Sequence, residues 1–475
     1  MKRLLLLLFF LPSIIFAQNP NPSTVIDNYI LGEMNYEKIP GMSTLIVKEG
    51  EIVWVESYGF SDIENNILMN DSTAFLLASV SKIFTGTTLM QLYENGQIDL
   101  DENINNYLSF PVFNPNFVSD SITFRMLMTH TSSIKDNWNV MDFYYSIGDP
   151  TISLADCIER YFSTTGIDYS VNNFTTQPPG SSYYYSNMAT ALSGYLVEVI
   201  SASLFDEYCN SNIFDKLCMT NTSWYLSAFD TTNVARPYSW QGGQYVPYAH
   251  YGFADYPNGQ LRSNVIDLAN FIIAYLQNGS FNGEDILSST SVNEMLTLQI
   301  PLIEGTQGLN WYTEVIYLTG GGVVDLWGHN GGESGITTDL YINPNNQIGI
   351  IVLSNGEGEN LYVVDKLYNY ALGLTTSGLG KPDCNFVSVN ESIIEKSNFL
   401  VYPNPFSEKA FLEYLSDESY LITIRDSKGR KLQQFKGSGV KPTTIYRNSL
   451  IPGVYFLYIE KDGSILVREK LVISD

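Results

Sequence analysis

The chain is poor in the residues that most often carry metal or nucleic-acid chemistry. Its 475 residues include three histidines (His130, His250, His329) and four cysteines (Cys157, Cys209, Cys218, Cys384). The cysteines show no metal-ligand spacing and there is no His-Glu-x-x-His run, which argues against a zinc hydrolase and leads us to expect no metal and no cofactor. Cys209 and Cys218 can pair in an oxidising compartment, but a buried or loop thiol fits the sequence equally well. Basic residues are scarce, with 25 Lys and Arg against 50 Asp and Glu, a net charge of −25. That balance excludes nucleic acid as a partner, and also a polybasic membrane contact. No stretch after residue 17 is apolar enough to cross a bilayer, so the mature chain is expected to have no transmembrane segment.

What is present is globular in character. Hydrophobic residues make up 44% and aromatic residues 13%, too many for a disordered chain. Residues 1–17 read as a secretory signal peptide: Lys2 and Arg3 precede the apolar run Leu4 to Phe16, and Ala17 precedes a cut before Gln18. Charge is unevenly placed. Residues 399–475 hold 11 basic and 9 acidic side chains, so the rest of the chain carries nearly all the negative charge. Such a break points to two modules with different tasks. We therefore divide the chain into a signal peptide (1–17), a large domain (23–375), a Ser-, Gly- and Asn-containing linker (376–398) and a small module (399–475).

Hydrophobic periodicity orders the large domain. A helix is expected over Thr24–Tyr36. Strands at Met42–Val47 and Glu51–Ser57 follow, joined as a hairpin at Lys48-Glu49-Gly50. Helical runs cover Val80–Tyr93, Arg125–Thr129, Met188–Ile200 and Asn264–Asn278. Strands return at Trp311–Leu318, Val323–His329, Ile336–Ile342 and Ile348–Leu353, before a last helix at Glu359–Leu372. Early strands, a helical middle and late strands describe an α+β fold in which both ends of the chain build one antiparallel sheet beside a helical subdomain. Residues 135–178 read as an insertion that can rim a site. In the small module, strands at Leu421–Arg425 and Gly453–Tyr458, with a turn at Asp426–Arg430, describe a small all-β sandwich.

Chemistry concentrates at Ser79-Val80-Ser81-Lys82, where an apolar approach meets the start of a helix. A serine hydroxyl needs an adjacent base, and a lysine withdrawn from water can serve as one. The bland alternative is an N-cap serine with Lys82 on a solvated helix face. Ser132 to Lys135 has the same spacing but reads as a loop. Tyr185-Ser186-Asn187, at a turn before a helix, can supply a second proton-handling group. A phenol beside an ammonium has its pKa depressed and can act as the base, while Asn187 can orient the lysine or a substrate amide. His329-Asn330-Gly331 ends an apolar strand beside a glycine-rich run. There a histidine can hydrogen-bond a substrate carboxylate or carbonyl and a backbone can approach closely.

Together these three motifs, in this order and spread, resemble the class C β-lactamase-like serine hydrolases, the superfamily of penicillin-binding DD-peptidases, class C β-lactamases, D-aminopeptidases and related esterases. Leu127 to Ser133, Pro179-Gly180, Asn258 to Ser263 and Val352 to Asn355 also look like the family, and the resemblance covers about 23–375. It implies a β-lactamase/transpeptidase-like fold and an acyl-enzyme at Ser79. Lys82 and Tyr185 would be the proton-handling pair. Asn187, His329 and Gly331 would bind substrate, and the N–H groups of Ser79 and Gly332 would form the oxyanion hole. The substrate would be an amide or ester, such as a D-peptide of peptidoglycan type or a small ester. Class C β-lactamases carry Lys-Thr-Gly where this chain has His-Asn-Gly, a form that looks more like the peptidases of the family. The alternative is a catalytically inactive binding module of the same fold at the cell surface. Tyr402 to Phe406, Asp426 to Gly429 and Gly453 to Phe456 resemble the type A sorting domain of the type IX secretion system of Bacteroidota. That resemblance implies handling by the secretion machinery through residues 399–475, and a secreted or surface-displayed product.

Overall fold

The computed structural model describes residues 19–376, Gly380 and Pro382, and in the C-terminal module 399–404, 406–414, 419–425, 431–438, 442–451, 453–461 and 464–473. The expected signal peptide, most of the expected linker and the Asp426–Arg430 turn lie outside the described residues. The chain divides into two compact units, Met1–Asp383 and Cys384–Asp475.

In the first unit the amphipathic helix α1 (Thr24–Glu37) leads into the hairpin β1 (Gly41–Lys48) and β2 (Glu51–Asp62), followed by a short β3 (Ile67–Leu68). The central helices are α2 (Ser81–Glu94), α3 (Asn187–Ser201) and α4 (Val265–Leu276). A strand in the insertion, β4 (Tyr145–Ile147), pairs with β5 (Tyr251–Phe253). The late strands are β6 (Tyr312–Tyr317), β7 (Val323–Glu333), β8 (Ile336–Asn343) and β9 (Ile348–Ser354), and α5 (Leu361–Gly373) closes the unit. Seven strands form one sheet in the order β6-β7-β8-β9-β1-β2-β3. Its seam between the two ends of the chain is the antiparallel pair β1–β9, with Met42 opposite Ser354 and Lys48 opposite Ile348.

Both faces of the sheet are covered, which is why β1 and β9 are buried along almost their whole length rather than at alternate positions. On one face Ile26, Ile30 and Met34 of α1 and Val363, Val364 and Leu367 of α5 pack on Ile46, Trp54, Ile350 and Val352. The Trp54 indole N–H, buried there, donates to Thr44 Oγ1 at 3.0 Å. On the other face α4 lies so close to β9 that a Cβ on Gly349 would stand 2.5 Å from Ile272 Cδ1. Ser81 to Leu92 of α2 are all buried, as expected of a helix running through a core.

Two strands run further than their sequences suggest. β2 continues past Ser57 to Asp62, and β7 continues past His329 through Asn330-Gly331-Gly332 to Glu333. Glycine is a poor strand former, yet Gly331 and Gly332 pair with Thr338 and Thr337 of β8. Close packing against the turn that carries Ser79, described below, explains why the strand holds glycine at 331.

The second unit contains a three-stranded sheet (Phe399–Tyr402, Lys409–Tyr414, Thr443–Tyr446) and a four-stranded sheet (Ser419–Arg425, Lys431–Ser438, Gly453–Lys461, Ser464–Ile473). Ala410, Leu412 and Ile445 of the first sheet share a core with Ile422, Ile424, Leu457 and Ile459 of the second. This is the packing of a sandwich. The open question of the cysteines is answered in part: Cys157 and Cys209 are free and buried, while Cys218 is disulfide-bonded. Cys209 and Cys218 therefore do not pair with each other. No single helix among the described residues is long and apolar enough to cross a membrane.

Candidate active site

The site begins at a bend. A two-residue strand, Phe75–Leu76, pairs with Arg262–Ser263, and the chain then turns through the 3₁₀ segment Ala78–Val80 into α2. Ala78 takes φ +47°, a conformation that costs a residue with a Cβ and recurs where side chains are held for function. The bend lifts Ser79 out of the core. From Thr73 to Val80 it alone is not buried.

Three residues on, Lys82 is fully buried. Its Nζ donates to Ser79 Oγ at 3.0 Å, Asn187 Oδ1 at 2.8 Å and the Asn258 carbonyl at 2.7 Å. Neither bland alternative holds. The residue capping α2 is Val80, with no side-chain cap, and Lys82 faces protein rather than solvent. Burial drives the lysine pKa down to about 7, against the opposing pull of Asp136, Asp255 and Glu333. A neutral amine keeps two N–H bonds, enough for Asn187 and Asn258, and turns its lone pair toward the Ser79 hydroxyl.

Tyr185 and Asn187 are delivered by the start of α3. The Tyr185 ring lies 4.9 Å from Lys82 Nζ. The expectation that the nearby ammonium depresses the phenol is not met: burial dominates and raises its pKa, although a hydrogen bond with Ser79 lowers it. Tyr185 is thus a protonated phenol at neutral pH, and Lys82 is the group whose acidity suits a base.

The anchor of this turn is Asp136. Its carboxylate accepts from Ser186 Oγ at 3.0 Å and from the backbone N–H groups of Asn187 at 3.0 Å and Met188 at 3.1 Å, while Ser186 Oγ accepts from Ala189 N–H at 3.1 Å. A carboxylate there also meets the positive end of the α3 dipole. Asp136 lies fifty residues before its partners, in a polar stretch that gave no signal. Two further groups have no role assigned to them from the sequence, one of them inside the family-like stretch Leu127 to Ser133. His130, at φ +55°, has its ring 4.4 Å from that of Tyr185. Asp255 is buried with Oδ1 unpartnered, and its Oδ2 accepts from Asn258 Nδ2 at 2.7 Å, fixing the residue whose carbonyl holds Lys82. Burial raises the Asp255 pKa to about 7. Asp136→Ala should destabilise the fold by about 2 kcal/mol through the lost cap and charged hydrogen bonds. It should also lower turnover by about 10- to 100-fold, because a small misplacement of Tyr185 and Asn187 is costly. Thermal unfolding and kcat/KM measured on one preparation would check both.

β7 forms the opposite wall. A Cβ on Gly331 would stand 2.4 Å from the Leu77 carbonyl, 2.5 Å from Thr338 Oγ1 and 2.9 Å from Ser79 N, so only glycine lets the strand lie against the serine turn. Thr338 Oγ1 donates to the Leu77 carbonyl at 2.6 Å and holds the two together. The pairing of β6 with β7 ends at Tyr312 opposite Gly328, so the edge of β7 beyond it is not covered by β6. The Asn330 N–H donates to Tyr312 Oη at 3.1 Å rather than into the ladder with β8. Pleat alternation turns the Gly332 N–H to the same side as that of Asn330. His329 is buried between Tyr185 and Tyr312, with ring centroids at 6.2 Å and 5.1 Å, and its Nδ1 meets the Asn330 carbonyl. Burial and the neighbouring Lys82 hold its pKa at about 3, so it is neutral and offers no cation to a substrate carboxylate.

Comparison with known proteins agrees with this architecture. The Beta-lactamase family model matches residues 26–375, and that of the secretion system C-terminal sorting domain matches 400–474. Protein flp of Staphylococcus aureus (strain NCTC 8325 / PS 47) is 23% identical over 335 residues, 70% of this chain and 63% of flp. Beta-lactamase-like protein 2 of Dictyostelium discoideum is 27% identical over 278 residues, 57% of this chain and 48% of that protein. The chain thus spans between about half and two thirds of these relatives. Among solved structures, the octameric penicillin-binding protein homologue from Pyrococcus abyssi superposes with a TM-score of 0.59 at 20% identity, covering 95% of this chain and 96% of its own. D-stereospecific amidohydrolase from Streptomyces sp. gives 0.55 at 21% identity, with 72% and 98% covered. D-alanine carboxypeptidase AmpC from Burkholderia cenocepacia gives 0.56 at 20%, with 74% and 98% covered. At these identities the structures speak for the fold, and the family match over most of the chain decides the rest: this protein belongs to the Beta-lactamase family and carries a secretion system C-terminal sorting domain behind it.

Proposed function

We propose that the protein is an exported serine hydrolase that cleaves an amide or ester through an acyl-enzyme at Ser79. The observation that carries this reading is the bond from buried Lys82 Nζ to Oγ of Ser79, the partly exposed residue of the turn. In the reaction Ser79 Oγ attacks the substrate carbonyl and its proton passes to neutral Lys82. The protonated Tyr185 phenol, beside both, relays a proton to the departing amine or alcohol. Water then attacks the acyl carbonyl and releases the acid, restoring the serine. The N–H groups of Ser79 and Gly332 are assigned to the oxyanion that forms in both halves. The open edge of β7 binds the extended part of the substrate as an added strand, with Asn187 and neutral His329 as hydrogen-bonding groups. Structural neighbours described as a D-stereospecific amidohydrolase and a D-alanine carboxypeptidase favour a D-configured amide as the substrate class. Residues 399–475 are read as a type IX sorting module, which would place the hydrolase outside the cell, secreted or displayed on its surface.

The test is covalent labelling. A fluorophosphonate should add one mass increment to the purified protein and none to Ser79→Ala, as read by intact mass. A penicillin adduct at the same serine would narrow the substrate to peptidoglycan-like peptides. If neither reagent modifies the wild type, the hydrolase reading falls and the inactive binding module of the same fold takes its place.

A further inference from the structure

We infer that Glu333 makes the site selective for substrates bearing a protonated amine near the scissile bond. The inference rests on the hydrolase reading above. Side chains two apart on a strand share a face. Glu333 therefore lies on the same face of β7 as His329 and Gly331, the face that meets the serine turn. It is close enough to Lys82 to act on it electrostatically, and Tyr145 donates to Glu333 Oε1 at 3.1 Å. Tyr145 stands at 6.1 Å from Tyr251, and the two belong to the paired strands β4 and β5. The carboxylate thus sits beside the Tyr145/Tyr251 pair, at the end of the strand that passes the serine turn.

The charges around it point one way. Asp136, Asp255 and Glu333 all act on Lys82 as negative neighbours. His329 is neutral. The nearby Arg262 is buried, and its guanidinium donates to the Tyr251 and Gln260 carbonyls. Arg236 is engaged with Asp62 and Glu64. A substrate carboxylate entering this end would meet Glu333 with no free cation among the described residues beside it. An ammonium would meet a half-buried carboxylate that still has acceptor capacity beside its bond from Tyr145.

The experiment compares D-alanine p-nitroanilide with its N-acetyl derivative, in the wild type and in Glu333→Gln. The wild type should favour the free amine, and the substitution should lower that preference by about 10- to 100-fold, as expected for one charged hydrogen bond, chiefly through KM. Thermal unfolding of the variant reports its fold. A wild type that favours the acetylated anilide, or a preference that Glu333→Gln leaves unchanged, would overturn the inference. So would failure to cleave the free-amine anilide by a protein whose Ser79 still takes up fluorophosphonate. Loss of that labelling in the wild type would instead remove the hydrolase reading itself.

Discussion

Ser79→Ala is expected to lower kcat/KM on any substrate the protein turns over by at least about 10⁴-fold, because nucleophile and base act as one unit. What survives should come from the oxyanion donors and from substrate binding. The fold should be nearly indifferent. Ser79 is only partly buried, and its hydroxyl bonds with Tyr185 and with Lys82 Nζ, which keeps Asn187 Oδ1 and the Asn258 carbonyl when the serine is gone. A large kinetic loss with an unfolding midpoint near that of the wild type would separate chemistry from structure. Turnover by Ser79→Ala at the wild-type rate would sink the acyl-enzyme mechanism, whatever the fold.

Much of this site can be read from the chain because its parts are local. Ser79 and Lys82 lie one helical turn apart, and an apolar approach before a helix is visible without coordinates. The glycine at 331 is a local signal too, since a close backbone contact leaves no room for a Cβ. What escapes the sequence is set by burial and by distant pairing. Asp136 caps a helix that begins fifty residues later, and nothing at Lys135-Asp136-Asn137 announces it. The neighbouring lysine suggests a depressed phenol at Tyr185, but burial, which depends on the whole surroundings rather than on local sequence, is the largest cause and raises its pKa. The extension of β7 is hidden in the sequence for a related reason. Strand propensity stops the pattern at His329, but pairing with β8 on one side and contact with the serine turn carry it to Glu333. That extension is what puts Glu333 in the site at all.

Lys82→Met should lower kcat/KM by about 10³-fold or more, the scale set by losing a positioned base. Methionine fills similar volume without a proton-accepting nitrogen. The sign of the accompanying pH effect follows from burial. Lys82 works as a base only when neutral, and its pKa stands at about 7, so wild-type kcat/KM should rise as pH increases through 7 and then level off. Asp255, pushed up to about 7 beside it, titrates in the same range, so the limb belongs to the two groups together. In Lys82→Met the lysine part of the limb should vanish with the activity. Stability gives an independent reading. Because the folded pKa lies below the ordinary lysine value of 10.5, the unfolded chain binds more protons between about 7 and 10.5, and the wild type should gain stability as pH rises through that window. The cost of burying the ammonium is fully present below about 7, and Lys82→Met should lack this gain. Unfolding midpoints at pH 7 and pH 9 for both proteins would show it. A variant that keeps the wild-type rate, or a wild-type profile that stays flat across pH 7, would remove Lys82 from the role of base and leave proton transfer to some other group at Ser79.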